Sequence, residues 1–460
     1  MGVLIKNGNV VTASDSYVAD IFIQDGIIKE IGLNLEKEGS KVIDAKGLIV
    51  MPGGVDVHTH FDLDVGIAIA NDDFYTGTVA AACGGTTTIV DHLAFGPKGC
   101  NLSHQINKYH SLSKDKAVID YGFHGVVQDV NKDILKEMEY IVENEGVTSF
   151  KIYLTYDYLI NDYEAIKVLK KLKELGGIMA VHAENDGVIK FLKEYYLNNN
   201  FKSPKYHPLT RPNFCEGEAV NRMINISSII GGGPLYIVHL STKEGLDYIK
   251  EARDRGEIII SETCPQYLLL DDSEYDREDA LKFIMSPPLR KKDDIEALWS
   301  GIKDGLIQVV ATDHCPFAYN GDKMLGKDDF SKCPNGAPGV EERIPILFSE
   351  GVLKGKISIN KFVDVCSTKP AKLFGLYPKK GSISVGSDGD ITIIDPNKEV
   401  IIDINNLHYN CDYSLYEGKK IKGYPVYTIS RGEIIFEKGK FIGEKGRGEF
   451  IKRKRCEYEI

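Results

Sequence analysis

Two histidines separated by one residue end an apolar run and are the first residues of the chain that could hold a metal ion. They are His58 and His60, in the segment Met51-Pro-Gly-Gly-Val-Asp-Val-His-Thr-His60. Side chains at positions i and i+2 of a strand point to the same face, so both imidazoles can contact one cation. The spacing predicts part of a metal site at a strand end and requires further ligands elsewhere in the chain.

Other apolar runs also end in potential ligands. His182 and His239 end two of them, and Asp313 follows a third. Taken alone, a histidine in such a place is more often a hydrogen-bonded structural residue, and an aspartate more often caps a helix. Because all of these residues follow strand-like runs, their joint occurrence favours a metal site.

Lys151 bears on the number of metal ions. It lies inside the apolar segment 147–154, where a charged ammonium pointing inward would be costly to desolvate. A surface lysine is the alternative interpretation. A neutral buried amine can instead react with carbon dioxide to form a carbamate, an oxygen donor that can bridge two cations. On this hypothesis the site holds two ions.

The elements that must position these residues are short apolar runs that alternate with segments of helical periodicity. Eight buried parallel strands alternating with helices indicate a (β/α)8 barrel of the TIM type, whose chemistry lies at the C-terminal strand ends. Helices are predicted at 163–175 and 216–230. The predicted strands are 55–60, 86–91, 118–124, 148–154, 178–182, 235–239, 258–262 and 307–312.

Both ends of the chain have the pattern of β-structure. The dipeptides Asn7-Gly8 and Asp25-Gly26 favour tight hairpin turns, and β-branched runs with glycine turns return late in the sequence. We expect residues 1–51 and 381–445 to form one small β-sandwich domain, residues 52–380 the catalytic barrel, and residues 446–460 a C-terminal tail.

The composition limits the class of partner. A formal charge of -11 argues against nucleic acid or an anionic membrane, so we expect a small-molecule substrate. No signal-like segment and no apolar run of ~18 residues is present, which favours a cytoplasmic protein. Nine cysteines without a CxxC pair indicate reduced, packed thiols. The basic run at 452–455 is expected to be solvated or to contact another subunit.

Together these residues resemble the cyclic amidohydrolases of the dihydropyrimidinase and hydantoinase family, and within it the bacterial D-phenylhydantoinase type. The resemblance covers nearly the full length. It rests on His58-Thr-His60, Lys151, His182-Ala-Glu-Asn185, His239-Leu-Ser241 and Thr312-Asp-His-Cys-Pro-Phe317.

The resemblance implies two divalent cations, zinc in the family, with manganese or cobalt as alternatives. The first would be held by His58, His60, Lys151 and Asp313, and the second by Lys151, His182 and His239. Lys151 would be an N6-carboxylysine formed with carbon dioxide. The family also implies a homotetramer or a homodimer.

The implied reaction is the opening of 5-substituted hydantoins or dihydropyrimidines to N-carbamoyl amino acids. Asp313 would act as general base and then as general acid. Tyr156 matches the family tyrosine that stabilises the oxyanion. Ser286 and Asn335 match positions whose backbone binds the cyclic amide.

Three alternatives stand beside this function. Dihydroorotases carry an arginine two residues after the second histidine, whereas this chain has Asp62, so a carboxylate substrate would be repelled. Allantoinase activity remains open. A non-catalytic tetrameric scaffold of the same fold is opposed because such relatives lose metal ligands. Asp64, where related enzymes often carry proline, weakens any substrate preference taken from the family.

Overall fold

The computed structural model describes residues 2–456, and its first five strands begin a mixed β-sheet. These strands are β1 (Val3–Val11), β2 (Ser16–Gln24), β3 (Ile27–Gly32), β4 (Lys41–Asp44) and β5 (Ile49–Pro52). The hairpin turn predicted at Asp25-Gly26 is confirmed, since both residues have positive φ between β2 and β3. The turn predicted at Asn7-Gly8 is wrong. Asn7 forms a bulge within β1, where its backbone N–H donates to Asp20 Oδ1 over 2.7 Å.

Eight strands then pair side by side in chain order, all of them parallel. The first and last strands meet through two hydrogen bonds of 2.9 Å, from Asp313 N to His58 O and from His60 N to His314 O, which close the barrel. All eight predicted strands and the (β/α)8 fold are confirmed. The observed strands are β6 (Gly54–Thr59), β7 (Thr86–His92), β8 (Asp120–Val126), β9 (Ser149–Tyr153), β10 (Ile178–His182), β11 (Leu235–Ile237), β12 (Ile259–Thr263) and β13 (Val309–Val310).

Helices fill the gaps between the barrel strands, and both predicted helices are present, as α4 (Asp162–Leu175) and α7 (Asn213–Ile229). Many begin at a capping side chain that accepts a backbone N–H; Asn161 and Glu164, for example, cap α4 reciprocally. No helix in the described part of the chain is long and apolar enough to cross a membrane. The helices are α1 (Thr76–Cys83), α2 (Leu102–Ser113), α3 (Lys132–Tyr140), α4 (Asp162–Leu175), α5 (Asp186–Asn198), α6 (His207–Thr210), α7 (Asn213–Ile229), α8 (Lys243–Asp254), α9 (Pro265–Leu269), α10 (Lys292–Lys303), α11 (Arg343–Leu347), α12 (Ile359–Val363) and α13 (Lys369–Leu373).

Four late strands complete the sheet begun at the N-terminus: β14 (Ile391–Ile401), β15 (Lys420–Ser430), β16 (Glu433–Glu437) and β17 (Lys440–Phe441). β14 pairs antiparallel with β5, so the two chain ends join in one sheet of nine strands with an aliphatic core of its own. The prediction that both ends build one β-domain is confirmed. The boundaries given for the domains stay a prediction.

The C-terminal tail packs against the barrel strands. Arg453 is 4% exposed and donates to Ser149 Oγ over 2.8 Å and to the carbonyl of Phe123, beside the ring of Phe374. The expectation that the basic run is solvated or contacts another subunit is therefore wrong for Arg453, whose buried Nη2 finds its acceptors on barrel strands. All nine cysteines are free and seven are buried, as predicted.

Candidate metal centre

The structure brings the six predicted metal ligands together at the C-terminal end of the barrel. They come from five strands or from the residues directly after them, because parallel strands present their carboxyl ends at one rim. All are buried except Asp313, which is partly exposed toward a cleft. The six are His58, His60, Lys151, His182, His239 and Asp313.

Three of these residues converge on one point. His58 Nε2 lies 3.0 Å and His60 Nε2 lies 3.2 Å from Asp313 Oδ1, and the donor atoms of all three lie within 4.8 Å of one another. Burial lowers the pKa of His60 to about 3, so its ring is neutral. Burial and Lys151 lower the pKa of His58, but the Glu262 and Asp313 carboxylates raise it above its ordinary value. Imidazole nitrogens and a carboxylate oxygen form a donor set that suits zinc and other divalent transition metals.

Lys151 lies beside this group, with Nζ 3.0 Å from His58 Nε2 and only 2% of the residue exposed. Burial lowers the pKa of its amine to about 8, although the Asp313 and Glu262 carboxylates favour the charged form. A substantial neutral fraction is therefore present near pH 7 to 8. A charged ammonium would repel a cation here, whereas a carbamate would complete the donor set.

The remaining pair comes from β10 and from the end of β11, the two strands that follow the Lys151 strand in the barrel. His182 Nδ1 lies 2.9 Å from His239 Nε2, and burial lowers the pKa of both rings. His239 has a φ of 39°, a conformation that is rare for a side chain of this size. A hydrogen bond of 3.0 Å from its backbone N–H to Glu262 holds it there. Backbone strain of this kind is common where a side chain must be aimed at a site.

Two carboxylates that the sequence analysis missed orient these imidazoles. Glu262 Oε1 lies 2.6 Å from His58 Nδ1, and Glu184 Oε2 lies 2.7 Å from His182 Nε2. Since each carboxylate accepts from one ring nitrogen, the opposite nitrogen is left with its lone pair toward the cluster. Glu262 ends a predicted strand and Glu184 stands two residues after His182, but their roles depend on contacts that only the closed barrel creates.

Arg211 holds the carboxylate of Glu184 in place. Its guanidinium forms a buried ion pair with Glu184. Burial alone would raise the pKa of Glu184, but Arg211 and His182 hold it at about 2. Glu184 is thus ionised at any working pH and remains an acceptor for His182. Arg211 approaches the site from a loop and was not among the residues predicted from the sequence.

His92 is a further buried histidine at this end of the barrel, and it ends β7. Its ring lies 4.3 Å from that of His58 and stacks on His124 at 4.1 Å. Neither ring nitrogen has a hydrogen-bond partner among the described residues. His92 was not among the predicted site residues, although its place at a strand end was the available signal.

A cleft of about 520 Å³ opens above the ligands, and the three predicted substrate contacts line it. Ser286 Oγ donates to Asn335 Oδ1 over 3.0 Å. The backbone of Tyr156 has a φ of 74°. The Arg211 guanidinium lies over its ring, 5.6 Å from the ring centre. Burial raises the pKa of Tyr156 to about 12, so its hydroxyl remains a hydrogen-bond donor.

The outer wall of the cleft is largely apolar, with Leu63, Val65 and Ile67 on one side. Asp64 also lines the cleft, where a ring substituent could contact it. Asp62 does not line the cleft. Its carboxylate accepts from Phe74 N over 3.3 Å instead. The expected repulsion of a substrate carboxylate by Asp62 is therefore wrong, and only the lack of an arginine at this position argues against dihydroorotate.

Comparison with known proteins gives a consistent result. The model of the amidohydrolase family matches residues 49–209 and 235–435. The chain is similar to the D-phenylhydantoinase of Escherichia coli strain K12, with 52% identity over 99% of this chain and 98% of that protein.

Solved structures agree. The dihydropyrimidinase of Brevibacillus agri NCHU1002 has a TM-score of 0.98 and 45% identity, over 99% of this chain and 100% of that one. The L-hydantoinase (dihydropyrimidinase) of Arthrobacter aurescens has a TM-score of 0.90 and 31% identity, over 97% and 99% of the two chains.

Proposed function

This chain belongs to the amidohydrolase family and is a cyclic amide hydrolase, and we propose that it opens 5-substituted hydantoins or dihydropyrimidines to N-carbamoyl amino acids. One observation carries the proposal. Four histidine side chains and Asp313 surround the buried amine of Lys151 at the floor of a cleft that can admit a small ring.

Lys151 is proposed to react with carbon dioxide. The neutral amine attacks the carbon, an N–C bond forms, and one amine proton is lost to solvent. The pKa of about 8 keeps enough of the amine neutral for this step. The resulting carbamate has two oxygens, so the His58 side and the His182 side of the cluster could each receive one.

The metal sets follow from this arrangement. His58, His60, Asp313 and the carbamate would hold one cation, and His182, His239 and the carbamate would hold the other. The family is metal-dependent, and zinc, manganese and cobalt all suit these donors. When bound, two such ions supply Lewis acidity toward the ring carbonyl and make a water molecule acidic enough to ionise near neutral pH.

The side chains of the protein supply the remaining steps. Asp313, held ionised by its histidine neighbours, is proposed to take the proton of the attacking water and deliver it to the ring nitrogen as the C–N bond breaks. Tyr156, still protonated, donates a hydrogen bond to the oxygen that gains negative charge. Backbone groups at Ser286 and Asn335 would hold the ring amide.

The cleft favours an uncharged or apolar ring substituent, because its outer wall carries Leu63, Val65 and Ile67. Stereochemistry does not follow from the fold, since both D- and L-hydantoinases share it. Allantoin remains the second candidate ring. A homotetramer or homodimer in the cytoplasm is part of the proposal.

A substrate panel tests the function. The zinc-loaded protein is assayed with dihydrouracil, 5-phenylhydantoin, allantoin and dihydroorotate, and ring opening is followed by the loss of ultraviolet absorbance. Turnover of the first two with little of the last two supports the proposal. Preference for allantoin would instead indicate an allantoinase. A purified protein without stoichiometric transition metal would favour a non-catalytic scaffold.

A further inference from the structure

A second group of potential cation donors lies outside the cleft, where the C-terminal end of α1 meets two later segments of the chain. It consists of Cys83, Glu341 and His408. One donor atom from each residue, a sulfur, an oxygen and a nitrogen, lies within 4.8 Å of the other two. Cys83 and Glu341 are fully buried, whereas the side chain of His408 is 28% exposed. Solvent can therefore reach the group from one side.

Glu341 and His408 are held in place by each other. The backbone N–H of His408 donates to Glu341 Oε2 over 2.7 Å, and Nδ1 lies 2.8 Å from Oε1. The Cys83 thiol, by contrast, donates no hydrogen bond to any residue in the range 2–456. The Cys83 sulfur is thus engaged by no other described side chain, and it lies next to a carboxylate and an imidazole.

The charge around this group points to a cation. Glu341 and its neighbour Glu342 are both buried, and neither forms an ion pair with a lysine or arginine among the described residues. Glu342 Oε2 has no hydrogen-bond partner. Burial raises the pKa of both carboxyls, that of Glu342 to about 7. A buried carboxyl stays protonated unless a cation pairs with it, so a bound ion would allow these groups to ionise.

We propose that Cys83, Glu341 and His408 form a second cation site that takes one thiophilic divalent ion of the zinc type. Sulfur, nitrogen and oxygen ligands at roughly 2.0 to 2.3 Å from zinc lie no more than about 4.6 Å apart. The three donor atoms lie within 4.8 Å of one another, so small side-chain shifts would bring them to this spacing. On binding, the S–H bond breaks, a sulfur–metal bond forms, and the proton passes to solvent. Water on the exposed side of His408 can fill the fourth position.

The site would be structural. Cys83 ends α1 of the barrel, which packs against β15 and β17 of the terminal sheet, and His408 lies on the segment between β14 and β15. A shared cation would cross-link the barrel to the segment that leads into β15. Since none of the three residues lines the cleft, ring hydrolysis does not depend on this ion.

Cobalt(II) is the probe, because a thiolate ligand gives cobalt a near-ultraviolet charge-transfer absorption that histidine, carboxylate and carbamate ligands do not. The full-length protein saturated with cobalt should show this band. Cys83→Ser should lose it together with about one cobalt ion per subunit, as counted by elemental analysis. The same variant should keep the ring-opening rate of the wild type.

Two further variants keep the test decisive. Cys366→Ser alters another fully buried thiol outside the group and should retain the band. His408→Ala changes a partly exposed position and should lose the band, so it decides the matter if Cys83→Ser fails to fold. Absence of the band in the wild type, or its survival in His408→Ala, would overturn the proposal.

Discussion

Glu262 accepts a hydrogen bond of 2.6 Å from the Nδ1 atom of His58, at the floor of the metal centre. The same carboxylate accepts from the Tyr236 hydroxyl and from the backbone N–H of His239. One acidic side chain therefore orients two ligands that belong to different cations of the proposed site.

Glu262→Gln tests this relationship. The amide has the same shape but no charge, so His58 should bind its cation less tightly. We expect zinc affinity, measured by competition with a chelator, to fall by about 10- to 100-fold. Glu342→Gln, a buried glutamate outside the centre, is the matched control and should leave the affinity of the centre unchanged. Equal affinities for Glu262→Gln and wild type would contradict the assigned role.

Lys151→Ala removes the proposed bridging group. Neither cation set is then complete, so most of the metal and the activity should be lost. Elemental analysis after gel filtration measures the metal content, and the hydantoin assay measures the activity. If the variant retained the metal content and rate of the wild type, the lysine would not be a ligand.

Tyr156→Phe keeps the ring but removes the hydroxyl donor. The metal content should not change, while kcat should fall by roughly 10² to 10³, as for other losses of an oxyanion donor. The comparison of metal content with rate separates a catalytic loss from a folding defect. A rate equal to that of the wild type would exclude the tyrosine from the mechanism.

Asp313→Asn retains an oxygen that can face a cation but can no longer accept the proton. Turnover should be abolished for every ring that the wild type opens, because no other carboxylate is among the predicted ligands. The assay is repeated with zinc and with cobalt, so that weakened metal binding is not mistaken for loss of the base. Residual activity at wild-type level would require another base.

The buried carboxyl of Glu342 should make the stability of the wild-type protein depend on pH, and Glu342→Gln should remove this dependence. Burial raises the pKa of the native carboxyl to about 7, above the unfolded value of about 4.3. The native state therefore holds the proton more tightly, and wild-type stability should fall as pH rises from about 4.3 to about 7. Relative to Glu342→Gln the change amounts to about 3 kcal/mol. Denaturant unfolding at several pH values, without added divalent cations, measures it, and parallel curves would contradict it.

The features of the fold that follow from strand periodicity could be predicted from the sequence. Eight apolar runs predicted eight barrel strands, and the polar residues at their ends meet at one rim. The bulge at Asn7 could not be foreseen, because the same dipeptide suits a hairpin and a bulge. Only the Asp20 carboxylate, on the neighbouring strand, decides between them.

The site was predictable in part for a related reason. Ligand candidates stand where parallel strands end, so position alone indicated them. The roles of Glu262 and Glu184 depend on which carboxylate meets which ring across the barrel, and no sequence spacing encodes that contact. Arg453 was misjudged because a basic run predicts exposure, while its acceptors lie on strands more than three hundred residues earlier.

The closure of the barrel between His58 and Asp313 sets an order of events during synthesis. The first ligands leave the ribosome early, but the carboxylate that completes their set lies 255 residues later and reaches them only when the first and last strands pair. A nascent chain that stops before this point has no complete receptor for the ion. The proposed ligand set is thus complete only in a chain whose barrel has closed.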